Sequence, residues 1–567
     1  MSILDKPPFS LDKEAIDWVE TTLSSLTIEE KAGQLFCVNA LNCPPEMFDK
    51  IFSVLEPGGV MYRATPSEVT TAFTRLLSEK AKVPLLISGN LEKGGAGMIP
   101  GGTQLGSPMA IAASGDAELA DKLGTVCGRE GRSIGASWAY APIVDIDYNW
   151  HNPITNTRTF GSDPDMVAEL GARFIRSIQK EGVAACFKHF PGDGRDERDQ
   201  HLVTTVNDLG CDEWMTTYGK VYKACIEAGS LTCMAGQIMQ PAWSRRLCPG
   251  IKDEDIRPGS QSKELLQGLL RGELGFNGLI CTDSSTMAGF LIPGPRAETV
   301  PGAIAAGADM LLFNKNLEED YGYMLDGIRN GIISSERLDE AVTRILGVKA
   351  ALKLHLRRPY PEASDVEKAV SEPEHKAWAV ELADKSITLV KEEKGVLPLS
   401  PGKYPRILLY PLESRSESTA GNYGVRQGAI PGLAERLRKE GFDVSFYERD
   451  NGLEGFTRTM RSYKEKYDLL LYVANFSTKS NQTVVRLEWD QPMGANCPHF
   501  ITSIPTVFVS LENPYHLADV PRIRTFINCY ASTDTTLDAL VEKLMGRSLF
   551  KGKSPSDPFC GLWDARL

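Results

Sequence analysis

Val183-Ala184-Ala185-Cys186-Phe187-Lys188-His189-Phe190-Pro191-Gly192-Asp193-Gly194 is an apolar run that ends in a basic pair and breaks at a Pro-Gly-Asp-Gly turn. Asp199 and His201 follow within a charged loop. An apolar strand, a Gly/Pro break and clustered titratable groups together predict a strand-end loop able to move protons.

The same unit recurs outward from this stretch. Apolar runs occur at Gly33–Val38, Gly59–Tyr62, Pro84–Ser88, Trp138–Ile146, Val183–Phe187, Leu231–Ala235, Gly278–Thr282 and Asp309–Phe313. Amphipathic stretches lie between them, among them 117–132, 164–181, 211–228, 263–274 and 298–306. Continuous apolar strands alternating with helical patterns predict a parallel sheet buried on both faces. Eight such runs in roughly 320 residues fit a (β/α)8 TIM-like barrel better than an open sheet. Many runs end in polar residues: Asn90 and Glu92, Asp145 and Asp147, Lys188 and His189, Gln237, Asp283, Asn314. In a barrel these ends share one face, where chemistry is done.

Residues 334–353 form a clean amphipathic helix pattern with Leu338, Ala341, Ile345, Val348 and Leu352 on one side. Residues 1–353 are therefore read as the catalytic barrel. Residues 354–372, rich in Pro, Arg and acids, are read as a linker or strap. Residues 373–567 carry a second series of strand candidates (386–390, 406–410, 443–447, 469–473, 506–510, 525–530) with helices at 432–440 and 537–545. This predicts a smaller α/β sandwich, Rossmann-like in its layering. It lacks a G-x-G-x-x-G after a strand, so nucleotide binding is not expected there.

Composition is that of a globular protein: 567 residues, 42% hydrophobic and 24% charged, with a net charge of −12. The acidic balance argues against nucleic acid and anionic membranes as partners. Residues 1–11 lack a basic segment followed by an apolar one, and no run is long enough to cross a bilayer, so neither a secretory signal nor a membrane span is expected. The 12 cysteines include no C-x-x-C pair, and Cys37, Cys186, Cys233 and Cys281 lie inside apolar runs. Reduced core thiols and a cytoplasmic location are expected. The 7 histidines contain no His-x-His or His-Glu-x-x-His, so no metal and no organic cofactor are expected.

Several segments, taken together, resemble the β-N-acetylglucosaminidase (β-hexosaminidase) branch of glycoside hydrolase family 3. They are Asn90-Leu91-Glu92, Ala141-Pro142-Ile143-Val144-Asp145 with 156–161 downstream, Lys188 to His201, and Thr282-Asp283-Ser284-Ser285-Thr286-Met287. The opening 26–36 and the stretch 383–390 also look like that family, so the resemblance covers nearly the whole chain. It implies a retaining exo-β-N-acetylglucosaminidase acting on short glycosides, such as muropeptide or chito-oligosaccharide fragments. Asp283 matches the nucleophile, His201 the acid/base and Asp199 its dyad partner. Arg158, Lys188 and His189 match residues that hold sugar hydroxyls. Asn90, Glu92 and Asp145 join the expected substrate-binding set, and Met287 lines an acetamido pocket. The chemistry agrees: an oxocarbenium-like transition state needs a carboxylate beneath the anomeric carbon and a proton donor at the leaving oxygen. An imidazole buttressed by an acid can give and then recover that proton.

The chain departs from the pattern at Asp193 (usually His), at Asn90 (often Asp), at Gln237 (often His) and at Gln200 (usually Ser). These changes leave the dyad intact and bear on the sugar's outer substituents. The loop 192–210, with its glycines and many charges, is expected to be mobile when empty, with the acid/base moving in with substrate. A phosphorylase using the same nucleophile and dyad is the alternative reading, because a neutral imidazole does not repel incoming phosphate. A β-glucosidase of the type with its acid in the second domain is disfavoured by the Asp-x-His loop, and a dead sugar-binding scaffold by retention of Asp283, Asp199 and His201. The expected partner is a small-molecule carbohydrate, with no nucleic acid and no membrane; a homodimer is left open.

Overall fold

The computed structural model describes residues 3–40, 45–356, 360–370, 372–413, 428–448, 458–476, 480–483, 485–489 and 491–567. The chain divides into two compact units. One comprises Met1–Leu105, Ala120–Asn149 and Pro164–His375; the other comprises Gly106–Leu119, Trp150–Asp163 and Lys376–Leu567.

The first unit is built on eight parallel strands: β1 (Phe36–Asn39), β2 (Gly59–Met61), β3 (Leu86–Gly89), β4 (Trp138–Ala139), β5 (Cys186–Phe190), β6 (Thr232–Ala235), β7 (Leu279–Thr282) and β8 (Leu311–Leu312). One parallel sheet runs β8-β1-β2-β3-β4 and a second runs β5-β6-β7. Single parallel bridges, Trp138↔Ala184 and Cys281↔Met310, link β4 to the start of β5 and β7 to the start of β8. Each strand thus has a parallel neighbour on either side, which is why these segments read as unbroken apolar runs. The fourth run is shorter as a strand than its composition suggests. Pro142 has no N–H to give a ladder, and pairing resumes only at the bridge Ile143↔Lys188. The interior is not wholly apolar: Ser88 Oγ and Tyr140 OH lie 2.8 Å apart, with Cys37 Sγ 3.4 Å from the same hydroxyl.

Helices cover the strands as the 3.6-residue pattern predicts. Pro164–Lys180 buries Val167, Phe174, Ile175 and Ile178. Ser335–Ala351 begins at Ser334, whose hydroxyl accepts the Arg337 N–H. Residues 354–372, read from sequence as a linker or strap, hold the helix Ala363–Val370, which packs on Ser67–Lys80 and buries Val366. Residues 357–359 and 371 of that stretch lie outside the described residues.

Two buried charged groups hold the β7–β8 and β1 starts. Asp309, fully buried, accepts the Ile280 N–H at 2.9 Å and pairs with Arg271 at 2.7 Å and with Arg337. Lys349 is also fully buried and donates to Gln34 Oε1 at 2.7 Å. Burial pushes its ammonium down from 10.5 to about 7, against an opposing pull from Glu56.

In the second unit the sheet runs β9-β14-β13-β12-β10-β11, from β9 (Thr388–Lys391), β10 (Arg406–Glu413), β11 (Asp443–Phe446), β12 (Leu469–Asn475), β13 (Thr506–Ser510) and β14 (Phe526–Asn528). All pairs are parallel except β9 with β14. Successive residues of β10 enter opposite cores: Ile407 and Leu409 pack with Leu433 and Leu540, whereas Leu408 and Tyr410 pack with Tyr472 and Phe508. Segments 106–119 and 150–163, which the sequence reading keeps within the first 353 residues, group with this unit. The contacts explain it: Lys553 N–H donates to Ala113 O at 2.9 Å, Lys385 pairs with Asp116 at 2.7 Å, and Ser162 N–H donates to Pro555 O at 3.1 Å.

Asp309→Asn leaves buried guanidinium groups without their counterion, and urea unfolding is expected to show a loss of about 3–5 kcal/mol. Lys349 has a second, pH-dependent signature. Between about 7 and 10.5 the unfolded chain binds its proton and the folded chain does not, so stability from this group rises with pH. From pH 7 to 9 the wild type is expected to gain about 2 kcal/mol relative to Lys349→Met, read as the difference between the two denaturation curves.

Candidate active site

The carboxyl ends of β3 to β7 and the loop after β5 carry most of the titratable side chains singled out by the sequence. Register brings the first two together. Val144 N–H donates to Lys188 O at 2.8 Å, so Asp145 lies beside His189. The Asp145 carboxylate is fully buried and takes three donors: the His189 N–H at 3.1 Å, the His189 ring through Nδ1 at 2.7 Å and the Asp193 N–H at 2.8 Å. Asp145, expected from sequence among the substrate-binding residues, has both oxygens engaged by these donors.

With Nδ1 given to Asp145, the His189 ring presents Nε2, which stands 3.7 Å from Asp283 Oδ2. Asp283 follows β7 directly, and its N–H donates to Ala235 O of β6 at 2.7 Å. Its Oδ1 accepts the Ser284 N–H at 2.6 Å, while Oδ2 makes no hydrogen bond to protein although it is buried. Asp283 is not a helix cap: the next helix is Ala288–Leu291, whose N-cap position is Met287. A buried carboxylate oxygen without a donor is costly, and in a native fold it points to a functional demand.

Lys188 pairs with Glu92 rather than with Asp145, at 2.9 Å, and both side chains are buried. Asn90, the first residue after β3, is half-buried, and Met287 is buried. Arg158 belongs to the second unit, where it is buried and Nη1 donates to Ile154 O at 3.4 Å.

Asp199 and His201 form a second acid–imidazole pair. Asp199 Oδ1 accepts the His201 backbone N–H at 2.8 Å and lies 2.7 Å from Nδ1, so Nε2 is the ring nitrogen not facing the acid. Unlike His189, the His201 side chain keeps 19% of its surface exposed. The surrounding loop makes ion pairs and hydrogen bonds of its own. Its charges pair locally, Arg195 with Asp208 at 2.8 Å and Arg198 with Asp196. Thr205–Val206 pairs with Ile238–Met239 as a short parallel ribbon.

Sequence reasoning missed the scaffold behind the turn. Trp214 Nε1 donates to Pro191 O at 2.9 Å, Tyr218 OH to Asp193 O at 2.6 Å and Tyr222 OH to His189 O at 3.1 Å. These aromatics recur every four residues across two consecutive helices, and that stripe was the available signal. Gly192 adopts a φ of +113, and an added Cβ would stand 2.2 Å from the Tyr218 ring. Among the described residues, no three His, Cys, Asp or Glu side chains gather in a way that would hold a metal ion, and no helix is long and apolar enough to cross a membrane.

Comparison with known proteins supplies the family. The glycosyl hydrolase family 3 N terminal domain matches residues 27–348. A protein of Cellulomonas fimi named beta-N-acetylglucosaminidase/beta-glucosidase is 51% identical over 564 residues, covering 100% of both chains. The solved structure of a beta-glucoside phosphorylase, BglX, is 46% identical with a TM-score of 0.93, over 100% of this chain and 99% of that one. A family 3 beta-N-acetylglucosaminidase from Paenibacillus sp. str. FPU-7 shares the fold, with a TM-score of 0.81 and 24% identity over 95% of this chain and all of that one.

Asp145→Ala strips three buried donors of their acceptor at once. It is expected to cost about 3–5 kcal/mol in denaturant unfolding, and a smaller loss would mean that the strand ends hold His189 without it.

Proposed function

This chain belongs to glycosyl hydrolase family 3, and from that premise we propose that it is a retaining exo-β-glycosidase that removes terminal N-acetylglucosamine from short glycosides. The observation that carries the proposal is Asp283 Oδ2: a carboxylate oxygen at a strand end, bound to no protein donor and facing a histidine held by its own acid. The ring of eight parallel strands is read as a (β/α)8 barrel and the second unit as a Rossmann-like layer.

In the first half-reaction Asp283 attacks the anomeric carbon. The bond from that carbon to the aglycone oxygen breaks, and His201 gives its Nε2 proton to the departing oxygen. Asp199 accepts the Nδ1–H and steadies the imidazolium that gives up this proton, which leaves the ring neutral. In the second half, His201 takes a proton from water, the water oxygen bonds to the anomeric carbon, and Asp283 is released. Lys188, His189 and Asn90 are assigned to the sugar's hydroxyls, Glu92 to holding Lys188, and Met287 to the acetamido group. The name borne by the Cellulomonas fimi relative, which pairs N-acetylglucosaminidase with glucosidase, supports both glucosamine-type and glucose-type sugars as candidates.

A second reading is favoured by one observation, the whole-length likeness to a beta-glucoside phosphorylase. There phosphate oxygen, rather than water, bonds to the anomeric carbon and releases a sugar 1-phosphate. A neutral imidazole over the site admits the anion where a carboxylate would repel it.

Incubation with a 2-fluoro or slow N-acetylglucosaminide is expected to leave the sugar on Asp283, seen by mass spectrometry of the digested protein. Asp283→Asn is expected to lose at least about a thousandfold in kcat. Wild-type rates in that variant would end the assignment. Turnover of a chromogenic glycoside with and without inorganic phosphate, with assay for sugar 1-phosphate, separates the two acceptors.

A further inference from the structure

We propose that Gln200, which stands between the two members of the acid–imidazole pair, is a positioning residue that sets His201 in its working place before substrate arrives. The inference rests on the reading of His201 as acid/base and goes beyond it.

Four buried polar groups form one chain of hydrogen bonds. Asp193 N–H is held by Asp145 at 2.8 Å, and Asp193 Oδ2 accepts the Gln200 Nε2–H at 2.9 Å. Gln200 Oε1 then accepts the Gln237 N–H at 2.9 Å, and Gln237 Oε1 accepts the Ser260 hydroxyl at 2.5 Å. Gln200, Gln237 and Ser260 are fully buried and Asp193 is 2% exposed. An amide is the side chain that suits this place. It donates to the carboxylate after β5 and accepts from the backbone after β6, so both of its ends are used.

The effect is local and directional. Gln200 leaves the backbone between Asp199 and His201, so pinning its side chain to two strand ends fixes the turn on which the imidazole rides. The other side of the turn is docked as well. Ala288 N–H donates to His201 O at 2.9 Å and Thr204 Oγ1 to Gly289 O at 3.0 Å, both just beyond the Asp283 segment. A Cβ at Gly289 would stand 2.4 Å from Gln200 O, so only glycine lets the turn settle there. A proton donor held in this way does not draw on substrate binding energy to order its loop.

The test is a charge conflict with a designed rescue. Gln200→Glu replaces the Nε2 donor by a second carboxylate against Asp193, and adding Asp193→Asn restores a donor–acceptor pair with its direction reversed. Two glycosides of the preferred sugar are compared by kcat/KM, which reports cleavage of the aglycone bond. One has a sugar or alkyl aglycone, which needs the acid; the other has a dinitrophenyl aglycone, which does not. Gln200→Glu is expected to lose about a hundredfold on the first and to stay within about threefold on the second. The double variant is expected to recover to within about threefold on both. Wild-type rates on both substrates would overturn the proposal. So would an equal loss on both with a lowered melting temperature, or a selective loss that Asp193→Asn does not rescue. Asp283→Asn runs beside them: if it still turns over the dinitrophenyl glycoside, the reaction assignment falls, whereas the aglycone split alone judges Gln200.

Discussion

One buried carboxylate sets the geometry of the whole mouth. Asp145 accepts two backbone N–H groups and one ring N–H from a five-residue span, His189 to Asp193, so the end of β5 is locked to the segment after β4. Its negative charge also decides which nitrogen of His189 carries the proton and which one faces Asp283. A charged acceptor bonding three donors in a dry setting is worth more than three neutral bonds. It also makes the turn Pro191–Gly194 an extension of the strand framework rather than a free loop, with Trp214, Tyr218 and Tyr222 holding it from behind.

Two acid–imidazole pairs share this mouth and differ in burial. The Asp145–His189 pair is sealed, with 3% of the His189 side chain exposed, and suits a fixed donor beside a carboxylate. The Asp199–His201 pair keeps the acid buried and leaves the ring partly open, as an exchanging group requires. On the proposed reading the same two residue types serve rigid positioning and proton transfer. The local backbone separates the roles: His189 ends a strand, whereas His201 rides on a turn.

The loop from 192 to 210 shows what residue-type reasoning leaves out. Glycines and charges read singly suggest a segment that water holds better than protein does. In the fold the charges find one another at short range, and Asp196 also accepts the Val206 N–H at 2.9 Å. Asp193, Gln200 and Gln237 appear in the sequence as three unrelated departures from a family pattern, and in space they are consecutive links. Pairing of this kind depends on which strand ends are neighbours, and no local window contains that information.

The periodic part of this protein was legible without coordinates. Eight apolar runs of strand length separated by helical patterns dictate parallel strands buried on both faces, because only that arrangement hides an unbroken apolar strand. The polar residue closing each run marks the chemical end for the same reason. Asp283, Lys188 and His189 stand at such run ends, whereas Asp199 and His201 were singled out in the charged loop that follows the Pro-Gly-Asp-Gly turn. Tertiary structure alone decided who pairs with whom: Lys188 with Glu92, 96 positions away, Asp145 with His189, and Arg158 with the second unit. Sequence fixes the period along the chain, which is a local property of the backbone. Partners of buried charges are fixed by register between strands distant in sequence, where desolvation forces each charge to take the nearest oriented counterpart.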